Sequence, residues 1–145
     1  MNEEEYLKNR LDDQIDWYDR KSIQNQKTFK RLQVILIVAA ASIPFISGYV
    51  DNLYYLQYLL GGIGVLIAAI TGLISLYKFQ ETWTAYRTTC ESLRHEKYLY
   101  LTKTNPYNGK NAFNLLVQRV EMLISKENSS WAEIMQKTEE QNENE

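Results

Sequence analysis

LQVILIVAAASIPFISGYV (residues 32–50) and LQYLLGGIGVLIAAITGLISLY (residues 56–77) decide how this chain folds. The 145-residue sequence carries 16 basic and 18 acidic side chains, yet between residues 32 and 77 the only charge is Asp51. Average composition, with a net charge of −2, describes an ordinary acidic soluble domain and hides this block. At 1.5 Å per helical residue the two runs measure ~28 Å and ~33 Å, against a bilayer hydrocarbon core of about 30 Å. So small a protein has too little other chain to bury both as core helices, so the pattern predicts two transmembrane helices.

Only residues 51–55 separate the runs, the length of a tight helix–helix connection, which makes the spans an antiparallel hairpin. The first run follows 31 residues, most of them polar or charged, so it does not read as a cleaved signal peptide. Lys27, Lys30 and Arg31 precede the first span and Lys78 and Arg87 follow the second, while the connection has no basic residue. That asymmetry places both termini on the cytoplasmic side. Tyr49, Tyr54, Tyr55 and Tyr58 at one end, and Tyr77 and Trp83 at the other, read as the two interfacial aromatic belts.

Gly61, Gly64, Ala68, Thr71 and Ser75, with Gly72 beside Thr71, recur at three and four residues and lay a narrow stripe of small side chains along the second span. Helices in lipid approach closely where side chains are small, so the stripe marks a packing face. The first helix of the same chain, a second copy of the chain, and the lining of a pore all remain open as what it faces. Pro44 removes one backbone hydrogen bond and kinks the first span, freeing a carbonyl near Ala40 that Ser42, Ser47 or a neighbouring group is placed to satisfy. Neither span holds an ionisable side chain, which argues against a proton relay or voltage sensor.

The flanks read as helix too. From Glu3 to Arg31 there is no Pro or Gly, and Leu7, Leu11, Ile15 and Tyr18 share a face, so this helix is expected to run directly into the first span. After the second span Phe79, Trp83, Tyr86, Cys90, Leu93 and Tyr100 repeat at helical spacing, and a second unbroken rod is expected to about Thr104. The turn signal Asn105-Pro106-Tyr107-Asn108-Gly109 reverses the chain. A third helix over residues 111–126, with Phe113, Leu116, Val117, Val120, Leu123 and Ile124 inward, completes a three-helix bundle. Ser130-Trp131-Ala132-Glu133 has capping-box spacing and predicts a short terminal helix to about Lys137.

The expected organisation is therefore all-α: an N-terminal cytoplasmic helix (residues 1–31), two spans (32–50 and 56–77) joined by an extracytoplasmic loop (51–55), a cytoplasmic helical bundle (78–137) and a disordered acidic tail (138–145). A single histidine, His95, and a single cysteine, Cys90, exclude a disulfide within the chain and a His/Cys metal site. No metal or other cofactor is implied, and neither catalysis nor a nucleic-acid partner is expected: Gly61-Gly62-Ile63-Gly64 lacks the strand and lysine of a phosphate loop, and the charge balance offers no basic face. His95 reads as a surface or interface residue and Cys90 as a small core residue. Glu81, Arg87, Glu91, Arg94, Glu96 and Lys97 read as solvated pairs along one helix, with a buried pair or a clamp between subunits as the functional alternative.

Trp17-Tyr18-Asp19 with Lys21 and Ser22, the two apolar runs, Tyr77-Lys78-Phe79-Gln80-Glu81-Thr82-Trp83, Tyr86-Arg87, Glu91, Leu93, Glu96 and Tyr98, then Pro106-Tyr107, Glu127 and Trp131, together resemble the SLATT superfamily of small bacterial two-transmembrane proteins, part of which is filed only as a domain of unknown function. The resemblance covers about residues 6–135 and rests on arrangement more than on a contiguous signature. It implies an effector of bacterial conflict and antiviral defence systems, placed in the inner membrane, often encoded beside nucleotide-signalling components, and forming pores. On that basis Trp17, Trp83, Tyr86, Arg87 and Glu91 would hold the cytoplasmic stalk together. One two-span chain encloses no aqueous path, so a channel needs a homo-oligomer in membrane lipid, with a soluble sensor or signalling partner as a possible trigger. The competing expectation is a membrane-anchored scaffold whose bundle recruits a soluble partner.

Overall fold

The computed structural model describes the backbone of residues 2–49 and 54–143 and the side chains as far as residue 129. Among the described residues every regular element is a helix: α1 (Glu3–Tyr6), a π-helical segment (Leu7–Asp12), α2 (Asp13–Ser47), α3 (Leu56–Tyr77), α4 (Phe79–Leu101) and α5 (Ala112–Glu143). The chain divides into two compact units, a bundle unit (Met1–Ser22 and Thr84–Glu145) and an apolar unit (Ile23–Trp83).

The bundle unit begins with a capping box. The Asn2 side chain accepts from the Glu5 amide at 2.8 Å and Glu5 accepts from the Asn2 amide at 3.3 Å, so free amides of the first turn are satisfied beside three carboxylates. The expected inward face Leu7, Leu11, Ile15, Tyr18 is altered at its start: Tyr6 is buried and Leu7 only partly so. The π-helical segment supplies the reason, because its wider turn turns the five-residue step from Tyr6 to Leu11 onto one face. Leu11, Ile15 and Tyr18 then meet Cys90 and Leu93 of α4 and Leu116, Val120 and Ile124 of α5, with Tyr107 filling the end from the α4–α5 connection. Phe113, Val117 and Leu123 pack around this core.

That connection contains a cis Asn105–Pro106 bond, and α4 ends with Lys103 in the left-handed region (φ 52°). There the Thr104 amide reaches Leu99 O at 3.0 Å and the Lys103 amide reaches Tyr100 O at 3.1 Å, the paired bonds of a Schellman end without glycine. Beyond it α5 runs through Ser130, where a new cap was expected, and through the expected acidic tail as far as Glu143. The side chain of Trp131 lies outside the described residues.

In the apolar unit α3 covers one face only. Leu56, Leu60, Ile63, Ile67, Ile70 and Ile74 are its shielded positions, and Leu32, Leu36, Ala39, Ile43 and Ile46 are those of α2. Alternating steps of three and four make both rows coiled-coil-like seams, which the two helices of this unit turn to each other. The outward side chains Val34, Ile37, Val38, Phe45 and Val65 are 59–72% exposed, the reverse of a soluble core helix. Both α2 and α3 include stretches long and apolar enough to cross a membrane. Of the expected loop, residues 51–53 lie outside the described residues.

The unbroken second rod is not what forms. Lys78, at φ 45° and ψ 43°, separates α3 from α4 in a left-handed conformation, its amide still bonded to Ile74 O at 3.1 Å and its carbonyl accepting from the Thr82 amide at 3.0 Å. A non-glycine residue adopts this region only at a cost that its surroundings must offset.

Candidate functional site

Two sets of residues stand out, one in each unit. On α3 the small-residue stripe Gly61, Gly64, Ala68, Thr71, Ser75 lies one residue beyond Leu60, Ile63, Ile67, Ile70 and Ile74 of the Leu/Ile seam, hence about 100° around the helix. Closure of the hairpin therefore falls to the bulky seam, and the stripe is left exposed. A Cβ added at Gly61, Gly62, Gly64 or Gly72 would meet nothing within 4 Å, so there is open space beside each of these positions.

Helix α2 continues through Pro44 to Ser47, since only the last turn follows the proline. Ser42 donates to Ala39 O at 2.7 Å and Ser47 to Pro44 O at 3.0 Å. Neither bond is to the Ala40 carbonyl, for which Ser42, Ser47 or a neighbouring group is the expected partner.

In the bundle unit, four of the five stalk residues named from the resemblance come together. The Trp17 ring meets Tyr86 edge-on with centroids 5.6 Å apart, and Tyr18 lies against both. Arg87 bridges Asp19 of α2 at 3.1 Å and Glu91 of its own helix at 2.6 Å. Arg94 approaches the same two carboxylates at 3.4 Å. These ions are partly exposed, so they tie α2 to α4 as a network more than as strong single bonds. Trp83, the fifth, falls in the apolar unit, where its indole Nε1 is buried without a hydrogen-bond partner among the described residues.

The deepest polar contacts were not singled out from the sequence. The Tyr18 hydroxyl donates to Glu127 Oε2 at 3.0 Å, both side chains are buried, and Glu127 Oε1 has no partner among the described residues. Burial, and then the Glu127 charge, push the Tyr18 hydroxyl well above its ordinary pKa. Glu121 of α5 receives Tyr6 at 3.1 Å and both ends of the Arg10 fork at 3.1 and 2.9 Å. The Arg10 hydrogen bond holds the Glu121 carboxyl below the usual range, against the opposing effect of burial. Tyr107 donates a short bond to Glu96, which also accepts from Arg119 at 3.0 Å, and Lys97 pairs with Asp12 at 2.5 Å. Periodicity places Tyr18 on the inward face of its helix and Glu127 enters only through the resemblance, and the helical pattern has no means of pairing residues so distant in the chain.

Cys90 is fully buried, its thiol pushed up by burial and directed to Ile15 O at 3.6 Å, and His95 is exposed. Among the described residues no group of three or more His, Cys, Asp or Glu is placed to hold a metal ion.

These features define a class: an all-α protein with a polar-clamped helical bundle and a two-helix unit whose outward apolar faces are uncovered. The chain belongs to the DUF4231 family, a family of proteins of unknown function whose model matches residues 13–114. The matched span begins with α2 and includes both apolar helices, all of α4 and the connection to α5, so Asp19, Arg87, Glu91 and Arg94 lie inside it and Glu121 and Glu127 outside. No curated protein and no solved structure matches the chain.

Proposed function

We propose that the protein is a two-span inner-membrane protein of the SLATT type, with both termini cytoplasmic, that assembles with copies of itself and forms a pore as an effector of bacterial defence. One observation carries the reading: the apolar unit exposes large aliphatic side chains on its outside while a separate small-residue face of α3 stays open. Lipid is the environment that suits the first, and close approach of another helix suits the second. DUF4231 membership is compatible with the SLATT resemblance, because part of that superfamily is filed under unknown function. A pore built this way has a lining of Ser, Thr and Gly with apolar constrictions that close it by dewetting.

Single-channel current in planar bilayers, with the oligomer mass determined on the same detergent-purified sample, tests the proposal. Discrete conductance steps from a defined oligomer are expected. A silent monomer or dimer would favour the second reading, a membrane-anchored scaffold, which draws support from the bundle unit being compact in its own right.

A further inference from the structure

Lys27, Lys30 and Arg31 stand on one turn of α2, at i, i+3 and i+4, immediately before the apolar stretch that opens at Leu32. All three are exposed. Lys78 sits at the matching boundary, one residue after α3 ends. The two helices share a seam along their length and the connection between Ser47 and Leu56 is short, so they run antiparallel and all four cations lie at the same end of the apolar unit. The acidic side chain of this unit near that end is Glu81.

The contrast with the bundle unit is informative. There Arg10, Arg87, Arg94, Lys97 and Arg119 each engage a carboxylate of the same unit. Among the described residues, Lys27, Lys30, Arg31 and Lys78 make no ion pair, although each stands where an apolar helix gives way to polar chain. Tyr77 and Phe79 flank Lys78 with their rings 5.5 Å apart, as side chains at a lipid–water boundary do. Three exposed cations and one half-buried lysine at the end of an apolar helix pair match a layer of phosphate diesters at that depth.

We infer that Lys27, Lys30, Arg31 and Lys78 form a binding surface for anionic phospholipid headgroups, chemically glycerophosphate diesters, so that the apolar unit selects phosphatidylglycerol over zwitterionic lipid. The inference rests on the membrane reading above and adds to it a lipid preference that neither span length nor hydropathy supplies. The Lys78 conformation belongs to the same surface: its left-handed φ ends α3 at the boundary, so its ammonium is not carried on along a continuous helix. Arg31 contributes the planar fork that takes two oxygens of one phosphate, and the lysines act as point charges.

The test uses the full-length protein in phosphatidylcholine vesicles containing a trace of spin-labelled phosphatidylglycerol or spin-labelled phosphatidylcholine. The motionally restricted fraction of each label is read by electron paramagnetic resonance. A restricted component is expected with both labels, with the glycerol lipid favoured about fivefold at low salt, the effect of roughly one boundary cation, and the preference falling as ionic strength rises. The quadruple variant K27Q/K30Q/R31Q/K78Q should keep the restricted phosphatidylcholine component and its helical circular dichroism while losing the preference, and K27R/K30R should retain it. Equal restriction of the two labels by the natural sequence, or a preference that survives in the quadruple variant, overturns the inference while leaving the membrane reading intact. No restricted component with either label overturns the membrane reading itself.

Discussion

Tyr18 and Glu127 are joined by a 3.0 Å hydrogen bond across 109 positions of sequence, and both are buried. The bond pins α5 to α2 toward the end of the bundle unit bounded by Ser22 and Thr84, and Glu127 Oε1 has no hydrogen-bond partner among the described residues. Tyr18→Phe strands the remaining carboxylate oxygen as well, so a loss of about 2 kcal/mol of bundle stability is expected. Tyr18→Phe combined with Glu127→Leu should recover most of that loss, because replacing both partners removes the unsatisfied group. Thermal unfolding of the two variants in detergent checks it: equal loss in single and double variants would show the bond to be incidental.

Alkaline pH should unfold the bundle through its tyrosines. Tyr6, Tyr18 and Tyr107 are each raised above the ordinary value of 10.0 by burial and by an adjacent carboxylate, and Tyr100 is pushed up to about 12 by burial and by Glu3. A folded pKa above the unfolded one means that the stabilisation is complete below pH 10 and is lost as pH rises through the folded values. Phenolate absorbance from Tyr6, Tyr18 and Tyr107 should appear only together with loss of helical signal. A single phase near pH 10 with helicity intact would contradict this.

On the acid side the relevant group is Glu121, whose carboxyl is held low chiefly by its bond to Arg10. The depressed pKa contributes stability above the ordinary carboxylate value of 4.5, and that contribution disappears as pH falls through the folded pKa. Glu121→Gln should flatten the pH dependence of the melting temperature between pH 5 and about pH 3, with a small effect because the pair is partly exposed. An unchanged slope would shift the acid sensitivity to another carboxylate.

The π-helical segment makes a register prediction. Deleting Lys8 shortens the five-residue step from Tyr6 to Leu11 to four, which an ordinary α-helical turn closes on the same face, so the wide turn relaxes without rotating Tyr6 off the core. If the π turn is what aligns Tyr6 with Leu11, this deletion should cost less than about 1 kcal/mol, whereas Leu11→Ala should cost about 2–5 kcal/mol for a fully buried leucine. A deletion that costs as much as Leu11→Ala would show that the alignment of Tyr6 is set by something other than the π turn.

The open face of α3 separates assembly from folding. Gly64→Leu or Ser75→Leu meets no obstacle within the chain, so helicity and bundle unfolding should be unchanged while the oligomer mass falls and any single-channel current disappears. Persistence of the same oligomer in both variants would place the contact between copies elsewhere.

The sequence by itself determined much of this protein. Helical content, the two apolar runs, the inward faces of α4 and α5 and the reversal at residues 105–109 follow from spacing, charge and turn chemistry, which act within a few residues. Other features depended on tertiary packing. Tyr6 and not Leu7 lies in the core because the π-helical segment brings the step from Tyr6 to Leu11 onto one face. The shielded face of α3 is its Leu and Ile row and not its small residues, a choice that depends on what packs beside the helix and that small size alone could not decide. The pairings of Tyr18 with Glu127 and of Asp19 with Arg87 and Arg94 join helices distant in sequence. Hydrophobic periodicity places such polar groups on a helix, but only the packed arrangement of neighbouring helices brings a donor within 3 Å of its acceptor.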